Sequence, residues 1–205
     1  MVNCNLEKKL LGQIRQSSNR ESSLLELIKF YGKEGVPKKA TPYIVRLVSQ
    51  SDDVEKNAYT CIQMGVDLER IKSYDNALLF YSCGLSLQPQ SADIQYFLNN
   101  NMGYSLVMLE RYKEAQGYCE DAITINPMRH NAFKNLGLSL QGQGKYVEAA
   151  NNFMQAVRIC SIDLDPRALN HLEDLLLHHP ELMSELDGLD DFLSEYEPHR
   201  RNKLH

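Results

Sequence analysis

Few residues in this 205-residue chain have the types and spacing that chemistry requires. Imidazoles serve as metal ligands and general bases, and His171, His178 and His179 are the densest group of them. On one helix His171 and His178 stand about 10 Å apart, too far to share an ion without further ligands, so surface histidines are expected. Gly142-Gln143-Gly144 has the small residues of a phosphate loop, but neither GxGxxG nor GxxxxGK is present and no strand precedes it, so a turn is expected. A GxSxG elbow is also missing. The five cysteines make no CxxC pair. Cys61, Cys83, Cys119 and Cys160 read as small reduced core residues, with Cys4 exposed. Carboxylates are plentiful but scattered, and acid or base catalysis needs a pocket that shifts their pKa values. These residues give no catalytic group, no metal site and no cofactor, and the expectation is a protein that is not an enzyme.

What remains is hydrogen bonding by amides, each of which carries donors and an acceptor. Gln63, Asn101 and Asn135 all come one residue before an apolar-glycine pair, Met64-Gly65, Met102-Gly103 or Leu136-Gly137. That places them at one point of a recurring element. Leu68, Leu106 and Leu140 follow the glycines, then Tyr74, Tyr112 and Tyr146, then Ala77, Ala115 and Ala149. Tyr81, Cys119 and Phe153 come next, before small Gly84, Ala122 and Ala156 and aliphatic Leu87, Ile125 and Ile159. Pro89, Pro127 and Ser161 close the units. Gly65 to Gly103 is 38 residues and Gly103 to Gly137 is 34, a period that signals a helical repeat array.

Each unit has two apolar runs at helical spacing around a turn near Lys72, Arg111 or Lys145, and so forms a helix pair. Glycine inside a helix costs about 1 kcal/mol against alanine, so three in register need a reason. Close backbone approach between paired helices supplies one, with Ala77, Ala115 and Ala149 as the small facing residues and with Tyr81 and Phe153 filling the wedge toward the next unit. A single pair cannot bury this face, which makes stacking obligatory. The four extra residues within Gln90 to Gln95 are close to one helical turn, so a longer helix capped by Ser91 keeps its faces aligned.

The aromatic, Leu-Gly, Tyr, Ala, Phe and Pro order resembles the tetratricopeptide repeat family, over about half of the chain. Cys61, Asn99 and Phe133 stand where that family often has tryptophan. The resemblance implies an all-α helical solenoid whose inner, concave face, built by the first helix of each unit, holds an extended peptide or a partner helix. By register the groove is lined by Tyr59, Ile62, Gln63, Val66 and Arg70 from the first unit, by Phe97, Asn100, Asn101, Tyr104 and Met108 from the second, and by Asn131, Lys134, Asn135, Leu138 and Gln141 from the third. Gln63, Asn101 and Asn135 would then form the ladder of amides with which family members hold extended chains. A branch that grips chaperone tails uses lysine, arginine and asparagine; here only Asn101 matches, while Ile62, Val66, Asn131 and Asn135 depart, so that ligand is disfavoured. The expected function is a protein-binding scaffold or adaptor. The alternatives are a secretion-type chaperone for a partly unfolded client, which is an analogy of architecture, and a component of an oligomeric assembly.

Hydrophobic residues make up 43% of the chain, enough for a packed core, and the net charge of −5 argues against nucleic acid. Residues 1–57 hold ten Lys and Arg against seven Asp and Glu, whereas residues 162–205 hold four against eleven. Ends of opposite sign are what head-to-tail pairing of molecules needs, although a solvated surface is the plainer reading and a homo-oligomer stays open. No signal-peptide core lies between Met1 and Gln13 and no run is long enough for a membrane span, so a cytoplasmic protein is expected, with no membrane insertion.

Residues 1–57 are helical by pattern, with a break at Ser17-Ser18-Asn19 and a stop at Gly35 and Pro37, and Pro42 opening a third helix. They are either a decayed unit or an N-terminal cap or dimerisation segment. Ser51, Asp52 and Glu55 resemble a capping arrangement before the units, which span 58–161 as 58–91, 96–129 and 130–163. Residues 164–197 form acidic capping helices opened by Pro166 and Pro180, folding back on the array in preference to reaching a partner, and 198–205 a mobile tail.

Overall fold

The computed structural model describes residues 3–16, 20–34, 36, 39–49, 52–160 and 165–201. Over these the protein is all-α, with twelve helices and no strand. The N-terminal helices are α1 (Cys4–Gln16), α2 (Arg20–Lys33) and α3 (Thr41–Val48). Three pairs follow: α4 (Val54–Arg70) with α5 (Tyr74–Ser86), α6 (Ala92–Met108) with α7 (Tyr112–Ile125), and α8 (His130–Gly142) with α9 (Tyr146–Ile159). The chain closes with α10 (Arg167–His178), α11 (Leu182–Glu185) and α12 (Leu189–Arg201). Packing stays local along the chain, with α1 against α2, α2 and α3 against α5, and α10 and α11 against α9.

The local signals account for the boundaries. Asp53 is the N-cap of α4, its Oδ1 accepting from the Lys56 N–H at 3.1 Å. This differs from the capping arrangement expected from Ser51, Asp52 and Glu55: Ser51 lies outside the described residues, and the Glu55 carboxylate accepts from the backbone N–H groups of Gln90 and Ser91. Ser91 caps α6, which runs 17 residues against 13 for α8, so the four extra residues do become one more turn. The first helix of each pair ends alike, with Lys72, Glu110 or Gly144 at positive φ (58°, 59° and 76°). The next residue's N–H returns to the carbonyl of Leu68, Leu106 or Leu140, a Schellman closure. In the third pair this explains Gly142-Gln143-Gly144 as a helix end.

The glycines in register are explained differently from the expectation. Tyr81 in the first pair and Phe153 in the third press their rings onto Gly65 and Gly137 of the paired helix, where a Cβ would overlap the ring. In the second pair the Cys119 thiol and the Ala115 backbone take that place against Gly103. Side chains filling a glycine notch inside each pair, a ring in the first and third and a thiol in the second, rather than backbone contact alone, set the helix separation. Ala77, Ala115, Ala149, Tyr81, Phe153, Cys61 and Cys119 are fully buried. One core runs from Leu10 to Ala115, and a second joins α9 to the terminal helices through Phe153, Val157, Leu172, Leu182 and Phe192.

The terminal segments also bear on the sequence reading. Pro42 lies in the first turn of α3, whereas Ser17-Ser18-Asn19, Gly35, Pro37 and Ser161 fall outside the described residues. At the far end α12 continues to Arg201, so residues 198–201 are helical where the sequence suggested a tail, and 202–205 are not described. No described helix is long and apolar enough to cross a membrane.

Candidate functional site

The five first-pair residues come together. Tyr59, Ile62, Gln63, Val66 and Arg70 stand at helical spacing on one face of α4 and, with Asp67, line a cleft of about 460 Å³. Tyr59 is half exposed, Gln63 is exposed, and Ile62 forms the buried floor. Arg70 donates to Asp67 at 2.7 Å, an exposed pair worth little in stability but placing charge at the rim.

On α6 the chemistry is divided. Phe97 and Met108 are exposed, and Tyr104 is half-buried with its ring edge-on to Tyr74 at 6.2 Å. Arg129, carried by the loop before α8, lies over the rings of Tyr96 and Phe97 at 4.9 and 4.7 Å and bonds Asp93 at 2.8 Å. Asn100 is buried and donates to Asn101 Oδ1 at 3.0 Å.

On α8 the face closes. Asn135 is buried and donates to both the backbone carbonyl and Oδ1 of Asn100 across the helix interface. The ladder is therefore not three free rungs. Gln63 is exposed, Asn101 is half-buried and engaged by Asn100, and Asn135 ties α8 to α6, its Oδ1 buried with no hydrogen bond among the described residues. Lys134 is buried as well, donating to Asn131 at 3.1 Å. Leu138 and Gln141 are half-buried, Leu138 packing against both cores.

Residues that the sequence reading missed cover this end. Asp165, just before α10, accepts from Arg167 at 2.7 Å, faces His130 Nε2 at 3.0 Å and lies 3.8 Å from Lys134 Nζ. The Arg167 guanidinium holds the Asp165 carboxyl well below the usual range, against the cost of its burial. Burial, and then Arg167, push the Lys134 ammonium down. Nothing local in the sequence marks Asp165, but its distance of 35 residues from His130 is one repeat length.

A second carboxylate behaves in the opposite way. Glu69 on α4 accepts from Ser105 Oγ at 2.7 Å, and burial raises its pKa despite that hydrogen bond. His171 corrects the expectation of surface histidines, since its ring stacks on Phe153 at 5.6 Å and burial lowers its pKa. His179 lies on the Tyr146 ring at 3.7 Å, and His178 alone of the three is exposed. Among the described residues no three His, Cys, Asp or Glu side chains form a metal-binding group.

No protein-family model matches the sequence, and no curated protein matches it. Solved structures do. The first TPR domain of human RPAP3 is 18% identical and superposes with a TM-score of 0.53 over 62% of this chain and 95% of that one. This chain has the tetratricopeptide-repeat fold. MamA from Desulfovibrio magneticus is 20% identical with a TM-score of 0.56, covering 89% of this chain and 96% of its own. The first TPR of Spaghetti (RPAP3), bound to the HSP90 peptide SRMEEVD, gives 19% and 0.51 over 60% and 93%. In tetratricopeptide terms α4, α6 and α8 are the inner helices, and the expected groove residues fall on them, some accessible and others buried.

Proposed function

We propose that this protein is a non-enzymatic adaptor that holds an extended peptide or a partner helix on its inner face, with the α4–α6 part as the working surface. The observation that carries this is the cleft on α4, whose five lining residues from the expected set include an exposed tyrosine, an exposed amide and a charged rim. Apolar anchors with a few polar groups suit a ligand that offers side chains and an accessible backbone. Phe97 and Met108 extend the apolar strip onto α6. A related fold with a bound peptide supports this mode of use, although Ile62, Val66, Asn131 and Asn135 stand where a chaperone-tail clamp has charged residues or asparagine. Selection of a phage-displayed random-peptide library on the purified protein tests the proposal. Enriched peptides should lose about tenfold or more in affinity to a Tyr59→Ala/Gln63→Ala variant whose melting temperature is unchanged, about 1.4 kcal/mol. Peptides indifferent to that variant, or no enrichment, would overturn it.

A further inference from the structure

The two ends of the array are oppositely charged, and each carries apolar side chains that its own fold leaves uncovered. Because α2 and α3 pack against α5 and α10 and α11 pack against α9, with the α6–α7 pair between, α1–α3 and α10–α12 lie at opposite ends. The described N-terminal side chains, residues 3–49, include seven Lys and Arg and three Glu. Six of those cations, Lys8, Lys9, Arg15, Lys29, Lys33 and Arg46, enter no ion pair among the described residues, and only Lys39 is matched, by Glu7. At the other end residues 165–195 hold nine Asp and Glu against Arg167, and Glu185, Asp187, Asp190 and Asp191 are exposed without ion pairs among the described residues. Leu177 (78% exposed) and Met183 (48%) stand out on the acidic end, and Leu6 (39%) and Val45 (37%) on the basic one.

We infer that the acidic α10–α12 end of one molecule docks on the basic α1–α3 end of a second copy, so that molecules join head to tail. Exposed apolar side chains supply area to exclude water, and the opposite fields supply attraction and orientation. The two patches differ from one another, so the contact is heterologous, and unless the rotation closes a ring it propagates as an open chain. Such pairing weakens with salt, because charges are screened within about 10 Å at 0.1 M and about 3 Å at 1 M.

Sedimentation equilibrium of the full chain tests this. At low salt the average mass should rise with concentration beyond twice the 23.5 kDa monomer, and it should return to the monomer near 1 M salt. Asp190→Lys/Asp191→Lys and Lys8→Glu/Lys9→Glu should each be monomeric alone, with unchanged helicity by circular dichroism. Mixed together they should associate again, since each supplies the end that the other has lost. A wild-type monomer at every concentration overturns the inference, as does a mass that stops at a dimer in low salt. Association that survives high salt, or that both charge reversals leave untouched, overturns it equally.

Discussion

The two ends of the inner face carry the same repeat register and end in opposite states. At the α4 end Tyr59 and Gln63 face water above a cleft. At the α8 end Asn135, the counterpart of Gln63, is buried against Asn100, and Lys134 is roofed by Asp165 and Arg167. Register fixes which direction a side chain points along a helix. It does not fix what stands in front of it. Asp165 just before α10 and Arg167 at its start bring charges against Lys134, and these cover the face at that end.

Removing residues 162–205 should give the largest difference between the ends. It strips the cover from Phe153, Met154 and Val157, all buried against α10–α12. The truncated protein is expected to aggregate or lose helicity in circular dichroism; a soluble monomer with unchanged melting would refute the cap. Overpacking comes next. Gly65→Ala drives a methyl into the Tyr81 ring, whereas Gly103→Ala meets the smaller Cys119 thiol. Thermal unfolding should show a loss of about 1–3 kcal/mol for Gly65→Ala and less for Gly103→Ala. Equal losses would mean that the aromatic notch does not set the spacing.

The amides sharpen the comparison directly. Asn135→Ala should cost about 1–2 kcal/mol in urea unfolding because it strips a buried partner from Asn100. Gln63→Ala should stay within about 0.5 kcal/mol and act on peptide affinity alone. The reverse ranking would exchange the roles of the two ends.

The two carboxylates give opposite pH slopes, readable as melting temperature against pH. Asp165 has a depressed folded pKa, so its stabilisation is full above the ordinary Asp value of about 3.9 and fades as the pH falls below it. Glu69 has a raised folded pKa, so its stabilisation is full below the ordinary Glu value of about 4.3 and fades as the pH rises through the folded value. Asp165→Asn should flatten the acid limb, and Glu69→Gln should remove the loss on the rising side. Variants that leave both limbs unchanged would assign the slopes to other groups. The smallest effect expected is from Glu110→Gly, which relieves a positive φ of 59°. Left-handed backbone costs a non-glycine residue about 1–2 kcal/mol, partly returned by glycine's freedom when unfolded, so melting should rise only slightly.

Much of the fold was legible because repetition averages out local ambiguity. Three aligned glycines, three aligned alanines and the inserted turn in α6 all follow from spacing alone. The glycine notch was misread because the aromatic that fills it sits on the partner helix, and spacing does not show which of two surfaces a ring covers. The shared face of the five α4 residues was legible, and they line one cleft. The face was less legible for α8, where exposure depends on Asp165 and Arg167, outside any repeat. His171 was placed on the surface because a lone histidine carries no sign that Phe153 will lie beneath it.

One set of polar links between neighbouring units shares one length. Glu55 to Gln90 and Ser91, Glu69 to Ser105, Asp93 to Arg129, Asn100 to Asn135 and His130 to Asp165 all span 35 or 36 residues. Among the described residues no such bond reaches across two units, so each joint senses only the next one. The chemistry changes from joint to joint, a hydroxyl on a carboxylate at Ser105 and Glu69 but two amides at Asn135 and Asn100, so a duplicated unit would not meet the same donors and acceptors. Each joint is thus keyed to the two units that it ties, and the Asp165 cluster, which closes on Lys134 of the last pair, is keyed to the end of the array.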